Sequence, residues 1–100
     1  MKNMPYRVVY RAYVEKDIRE IADYRSDYFV SVAETFLREL RSKIERLTET
    51  PLLYPKIDSY SEYRKMVVGN YVVVYVFNEQ TEEIVIIRVV YGKRNYQENI

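Results

Sequence analysis

The sequence predicts an α+β domain with the element order β-α-α-β-β-β, in which a helical hairpin packs on one face of a small, mostly antiparallel sheet. Two stretches with apolar residues at helical spacing, about 14–25 and 28–49, follow a single short strand pattern. Three apolar strand patterns then follow in succession between residues 63 and 91. One hundred residues suffice for one such core, so we expect 1–100 to form a single domain.

The first strand is predicted at 6–11, where the sequence YRVVYR alternates between two faces. Over 14–25, apolar residues recur at helical spacing and charged residues point away from them. The stretch 28–49 repeats this pattern for longer, and Pro51 is expected to end it because the residue before a proline is disfavoured in a helix. Only a few residues separate the two helices, which predicts an antiparallel hairpin.

The connection 51–62 is expected to follow an irregular path because it contains two prolines. Its apolar residues should pack onto the domain and not form a free linker; they are Leu52, Leu53, Tyr54 and Ile57. A connection of this length is often functional.

The last three strands are predicted at 63–68, 71–78 and 84–91. Gly69-Asn70 should form a tight hairpin turn, since both residue types tolerate positive φ. The middle strand, YVVVYVF, is apolar on both faces, so it should lie inside the sheet and be covered on both sides. Arg88 interrupts the last, nearly apolar strand, and we expect it to form a structural ion pair with a helix carboxylate.

Composition excludes several kinds of chemistry. The chain has no cysteine and no histidine, which rules out disulfides, thiolate chemistry, Cys/His zinc sites and imidazole acid–base catalysis. The net charge of +1 does not by itself predict a nucleic-acid partner. The first residues lack the apolar run of a signal peptide, and no segment reaches the roughly 18 apolar residues of a membrane span. We therefore expect a cytosolic protein.

Cations lie at both ends of the three-strand segment, so we expect a functional surface of the protein there. Arg64 and Lys65 open the segment, while Lys93 and Arg94 follow its last strand and precede Tyr96. A binding site at this surface would use Arg64, Lys93, Arg94 and Tyr96. The alternative is that these are ordinary surface cations, and for Lys93 a solvated side chain is the preferred interpretation.

Three stretches resemble one known family. The stretch EKDIREIADY (15–24) is similar to an acidic first helix, AETFLRELRSKIERLTETPLLYP (33–55) to a long second helix ending at a proline, and YRKMVVGNYVVVYVF with IVIIRVVYGKRNY to a characteristic C-terminal sheet. In this order they resemble the RelE/ParE superfamily of toxins from type II toxin–antitoxin systems, which includes plasmid stabilisation proteins.

The resemblance implies a toxin that poisons its own cell unless a cognate antitoxin binds it. A disordered antitoxin tail would fold across the toxin, so binding and folding would be coupled. A homodimer and a heterotetramer with the antitoxin are both left open. No cofactor is implied. RelE-like members cut mRNA on the ribosome, whereas ParE-like members inhibit DNA gyrase.

A RelE-like endoribonuclease would need cations to stabilise a phosphate and groups to move protons. The matching positions here are Arg64, Lys65, Arg94 and Tyr96. Lysine and tyrosine side chains have unperturbed pKa values of about 10, so Lys65 or Tyr96 would need a strong shift to act as a base. Loss of toxicity in an Arg94→Ala variant is therefore a requirement of the nuclease hypothesis.

Four positions depart from the nuclease pattern. Val72 replaces an arginine, Met66 a second lysine and Tyr91 a histidine, and Ile100 stands where RelE enzymes carry a C-terminal tyrosine. Tyr96 instead matches the ParE-like ending. We therefore favour a ParE-like toxin that inhibits DNA gyrase. The alternatives are a RelE-like nuclease acting on ribosome and mRNA, and a chain that keeps the fold but has lost toxicity.

Overall fold

The structure is a computed structural model that describes residues 6–26 and 30–92. Its elements confirm the predicted order β-α-α-β-β-β, and a short 3₁₀ turn follows the second helix. In chain order they are β1 (Arg7–Tyr10), α1 (Ala12–Ser26), α2 (Val30–Glu45), the 3₁₀ turn (Arg46–Thr48), β2 (Arg64–Val68), β3 (Tyr71–Asn78) and β4 (Glu83–Tyr91).

The strands form one sheet with the spatial order β1-β4-β3-β2. β2, β3 and β4 form an antiparallel meander, and β1 pairs in parallel with β4. A parallel pair of strands requires a long connection, and between β1 and β4 the chain forms both helices and the first two strands of the meander. The predicted mostly antiparallel sheet is confirmed.

Both helices pack on the same side of the sheet, which we call the helical face. Apolar side chains recur along α1 and α2 at helical spacing, so each helix buries one stripe. The core they form with the strands contains Val14, Ile21, Phe36, Leu40, Ile44, Leu47, Met66, Val68, Tyr71, Val73, Tyr75, Ile84, Ile86 and Val89. Neither of the two described helices is long and apolar enough to cross a membrane.

The opposite side of the sheet, the outer face, carries a second and smaller cluster. Val72, Val74 and Val90 are buried there, and Ile57, Tyr63 and Ile87 pack against them. Successive residues of a strand point to opposite faces, so β3 contributes its odd-numbered residues to the helical face and Val72 and Val74 to the outer face. The prediction that the middle strand is interior and covered on both sides is confirmed.

The connection after the helices behaves only partly as predicted. Tyr54 and Ile57 do pack against the two clusters. The prediction was wrong for Leu52 and Leu53, whose side chains are 60% and 68% exposed. A tight turn explains this, because the backbone N–H of Leu53 donates to the carbonyl of Thr50 and the two leucines lie at the tip.

The second helix ends earlier than predicted as a regular α-helix. α2 stops at Glu45, and the chain tightens into the 3₁₀ turn through Thr48 before it reaches Pro51. The Thr48 hydroxyl donates to the carbonyl of Glu45 at 2.8 Å, which satisfies an acceptor at the helix end. A final 3₁₀ turn is a common way for an α-helix to end.

β4 contains a β-bulge next to Arg88. Val74 pairs with Arg88 and Tyr75 with Ile86, so Ile87 is the extra residue. The Arg88 guanidinium reaches Asp17 of α1 through bonds of 2.8 and 2.9 Å. The predicted ion pair with a helix carboxylate is therefore confirmed.

Asp17 also completes the edge of the sheet. β1 pairs with β4 only as far as Ile86, and beyond that point Asp17 accepts a hydrogen bond of 2.9 Å from the backbone N–H of Val89. The carboxylate thus replaces the strand partner that β1 no longer provides. The ion pair and this bond together attach α1 to β4, and Asp17 is only 5% exposed.

The β2–β3 hairpin turns at Gly69-Asn70 as predicted, but only the glycine has positive φ, at 59°. A glycine in this conformation avoids the steric cost that a side chain would carry. The longer turn before β4 is held by the side chain of Asn78, which accepts hydrogen bonds from the backbone N–H groups of Gln80 and Thr81.

Candidate functional site

An open groove of about 350 Å³ lies at the end of the sheet where the β2–β3 hairpin meets the last residues of β4. Lys65 and Val67 of β2 form one side of it, Val72 lines it from β3, and Tyr91 and Gly92 complete it. Val72 and Val67 pair directly across the two strands, so the surface between them is apolar. This outer-face groove is the candidate functional site.

The two neighbouring cations of β2 point to opposite faces of the sheet. Arg64 shares its face with Met66 and Val68, which belong to the helical core. Lys65 shares the outer face with Val67 and lines the groove. The structure therefore brings Lys65 to the candidate site and keeps Arg64 away from it.

Arg64 is tied into the fold by the connection. Its Nη1 atom donates to the carbonyl of Tyr54 at 2.6 Å, and the side chain is half-buried. The hydroxyl of Tyr75, the cross-strand partner of Arg64, donates to the carbonyl of Pro51 at 2.9 Å. Both bonds hold the segment 51–54 over the end of the sheet. Arg64 thus has a structural role in the described chain.

The ionisation of Tyr75 reflects this environment. Burial raises the pKa of Tyr75 to about 12, and the nearby positive charge of Arg64 opposes the rise. Burial, with the hydrogen bond to Glu45, also raises the pKa of Tyr10. Both tyrosine shifts move away from neutrality, so neither hydroxyl becomes a better proton acceptor at physiological pH.

Gly92 allows β4 to leave the sheet close to the hairpin turn. Its backbone N–H donates to the carbonyl of Asn70 at 2.7 Å. A Cβ atom at this position would lie 3.1 Å from that same oxygen and 3.5 Å from a methyl group of Val72. A glycine here therefore lets the backbone pass close to Asn70 and Val72 at the groove.

The remaining predicted site residues follow Gly92 in the sequence. Lys93, Arg94 and Tyr96 lie outside the described residues. Tyr91, which stands where the nuclease pattern has a histidine, is 38% exposed and contacts the ring of Tyr71, with 5.7 Å between centroids.

Sequence reasoning did not identify the apolar part of the site. The strand pattern at 63–68 indicates only that Val67 lies in a strand, yet its side chain is 63% exposed beside Lys65. An available signal was the alternation along β2, which places Val67 on the same face as Lys65 and opposite to Met66. An apolar residue exposed next to a cation is better suited to contact with a protein than to catalysis.

The described groove offers little catalytic chemistry. Lys65 is the one charged residue that lines it in the described part of the chain, and no carboxylate reaches it. Among residues 6–26 and 30–92 there is also no group of three acidic side chains able to hold a metal ion. An apolar surface with a cation at its rim can bind a partner or hold an anionic group.

Comparison with known proteins gives a family and a fold. The family model described as "ParE toxin of type II toxin-antitoxin system, parDE" matches residues 8–96. A search of curated proteins found no significant match.

Two solved structures share the fold. The chromosomal ParDE toxin–antitoxin system from P. aeruginosa aligns with a TM-score of 0.77 at 10% identity, over 91% of this chain and 100% of that one. The toxin–antitoxin complex RelBE2 from Mycobacterium tuberculosis aligns with a TM-score of 0.59 at 18% identity, over 87% of this chain and 98% of that one. At these identities the likeness concerns the fold, while the family model covers nearly the whole sequence. The chain belongs to the ParE toxin family of type II toxin–antitoxin systems.

Proposed function

We propose that this toxin acts in the cytoplasm by binding and inhibiting DNA gyrase, without cutting RNA, and that a cognate antitoxin neutralises it. The observation that carries the proposal is the composition of the outer-face groove. Val72 lines it where the nuclease pattern has an arginine, and the guanidinium of Arg64 is held on the other face by Tyr54. A nuclease would have to stabilise an anionic phosphate with the cations that remain.

The apolar character of the groove supports a protein partner. Val67 is exposed, and Tyr91 is partly exposed at the opposite rim. A patch of aliphatic and aromatic residues with a cation at its edge resembles the composition of protein–protein interfaces. The match to the ParE family model also favours the gyrase-directed branch over the ribosome-directed one.

An antitoxin partner is supported by the family and by the structural neighbours. Both neighbours are described as toxin–antitoxin systems or complexes. A tail that folds on binding could cover apolar side chains that the isolated toxin exposes, among them Leu52, Leu53 and Val67.

Induced expression of the full chain in a sensitive bacterium tests this proposal. We expect growth arrest with chromosomal breaks and with intact transcripts, and growth restored by the antitoxin encoded beside the gene. Transcripts cut between codons, with unaffected DNA, would instead favour the nuclease. Normal growth would indicate that the chain keeps the fold but has lost toxicity.

A matched set of variants locates the active surface. Val67→Asp places a charge on the apolar wall of the groove and should weaken toxicity about 10-fold or more, because burying an uncompensated charge in an interface is costly. Arg38→Ala, on the exposed face of α2, is the control and should leave toxicity unchanged. Equal toxicity of both variants would mean that the toxin binds its target through a different surface.

A further inference from the structure

A second cavity lies between α1 and the end of β4, and we call it the helical-side cavity. Its volume is about 410 Å³. Ile21 and Val89 are buried in its lining, and the rings of Tyr24, Tyr71 and Tyr91 also line it. Tyr71 and Tyr91 are cross-strand partners, so their side chains share the helical face of the sheet. The cavity therefore combines apolar and aromatic walls.

The helix adds two carboxylates to this cavity. Asp17 and Glu20 line it together with Ile21 and Tyr24, and this spacing places all four on one stripe of α1. The charge of Asp17 is matched by Arg88, with 2.8 Å between Oδ2 and Nε. Glu20 is exposed and forms no ion pair with another described residue. Two carboxylates and one guanidinium leave an excess of negative charge.

The same helix already holds one guanidinium between a carboxylate and a tyrosine. Arg88 binds Asp17, and its Cζ atom lies 5.0 Å from the centroid of the Tyr13 ring. Tyr13 and Asp17 are four residues apart, and so are Glu20 and Tyr24. Because a guanidinium is planar, it can pair with a carboxylate and stack on an aromatic ring. The second carboxylate–tyrosine pair therefore offers another guanidinium the same two kinds of contact.

The helical-side cavity is continuous with the outer-face groove. Tyr71 and Tyr91 line both of them. A protein that lies in the groove can therefore reach the cavity by passing one side chain over Tyr91. An arginine suits this path, because its apolar stem can lie along an aromatic ring while its charged head continues to a carboxylate.

We propose that the protein target bound in the outer-face groove inserts an arginine side chain into the helical-side cavity. The guanidinium pairs with Glu20 and stacks on the tyrosine rings. This inference rests on the proposed function, since it requires a protein in the groove. It adds a determinant of specificity, because a target with a neutral side chain at this position would lose the pairing with Glu20.

Two short peptides test the cavity without the target. One is glycine-arginine-glycine with blocked ends, and the other replaces arginine with citrulline, which has a similar shape and no charge. The arginine peptide should shift the amide signals of Glu20, Tyr24 and Tyr91 in the full-length, isotopically labelled chain. It should bind about 5-fold more tightly than the citrulline peptide at low salt, and the difference should shrink as salt rises.

A matched pair of variants assigns the preference to one carboxylate. Glu20→Gln keeps the size of the side chain and leaves the ion pair of Asp17 in place, so it should fold as the parent does. It should abolish the preference for arginine over citrulline. It should also weaken the binding of purified gyrase about 5-fold. Glu15→Gln, exposed on the same helix and outside the cavity, is the control and should behave as the parent in both assays.

The two assays separate this inference from the proposed target. Equal binding of the two peptides, or a preference for arginine that survives Glu20→Gln, would overturn the inference. Equally tight binding of gyrase by the parent chain and by Glu20→Gln would overturn it as well. Failure of the parent chain to bind gyrase, with the preference for arginine retained, would count against the proposed target alone and would still support the arginine site.

Discussion

The two faces of the sheet differ in size, composition and use. The helical face buries a core of fourteen residues from both helices, the 3₁₀ turn and all strands except β1. The outer face buries three valines and exposes Val67 beside Lys65. Neighbouring residues of β2 therefore have different roles, since Arg64 fastens the connection to the helical side and Lys65 borders the groove. The larger buried core therefore lies on the helical face, and the partner surface that we propose lies on the other.

The ion pair at the β4 bulge should give the largest effect on stability. Asp17→Asn removes the negative charge that Arg88 binds, and breaking a buried pair of this kind costs about 3 kcal/mol. Chemical denaturation gives the free energy of unfolding. Glu15→Gln, an exposed position on the same helix, is the control and should stay within about 0.5 kcal/mol of the parent. Similar values for the two variants would contradict the role assigned to Asp17.

Arg64 and Lys65 provide the most direct test of the difference between the faces. Arg64→Ala removes a charged donor from the carbonyl of Tyr54 and should lower the free energy of unfolding by about 2 kcal/mol. Lys65→Ala should have the smaller effect on unfolding and the larger effect on toxicity per folded molecule. Thermal unfolding of both variants measures the effect on stability, and growth assays measure the effect on toxicity. The opposite ranking in either assay would mean that the two cations have been assigned to the wrong roles.

Tyr75 should make the stability of the helical face sensitive to alkali. Its pKa in the fold is about 12, above the ordinary value near 10, so the folded state holds the proton more tightly. The contribution of this proton to the free energy of unfolding is fully present below about pH 10 and is lost as the pH rises towards about 12.

Tyr75→Phe removes both the titration and the hydrogen bond to Pro51. It should lower the free energy of unfolding at neutral pH by about 1 kcal/mol and flatten its decline above about pH 10. Denaturation curves at several pH values measure both effects. An unchanged alkaline slope would show that Tyr75 is not the titrating group.

The exposed leucines should give the smallest effect. Leu53→Ser alters a side chain that is 68% exposed. The free energy of unfolding of this variant should stay within about 0.5 kcal/mol of that of the parent. Leu40→Ala on the helical face, where the side chain is 1% exposed, should cost about 3 kcal/mol by comparison. A large cost for Leu53→Ser would mean that this turn packs against the domain in solution.

Local patterns predicted the fold well because the spacing of apolar residues within each element agrees with the positions of the turn and helix-breaking residues between elements. The helical spacing of apolar residues gave both helices, and the doubly apolar middle strand gave its interior position. The ion pair of Arg88 could be expected because a charge on a nearly apolar strand needs a partner.

Long-range geometry explains what the patterns could not provide. The bulge at Ile87 changes the alternation of β4, and no short-range signal marks it. The exposure of Leu52 and Leu53 depends on a turn held by Thr50, and hydrophobicity alone pointed the other way. Strand alternation predicts that Arg64 and Lys65 point to opposite faces, but the position of the groove on the outer face depends on how β2, β3 and the end of β4 meet.

The most direct measurement compares two reactions of the same purified, full-length toxin. One is ATP-dependent supercoiling by DNA gyrase, and the other is the integrity of mRNA on translating ribosomes. We predict loss of supercoiling with intact mRNA, and relief of inhibition by Val67→Asp but not by Arg38→Ala. Cleavage of mRNA on the translating ribosomes, with unimpaired gyrase, would contradict the assignment of the outer-face groove to protein binding.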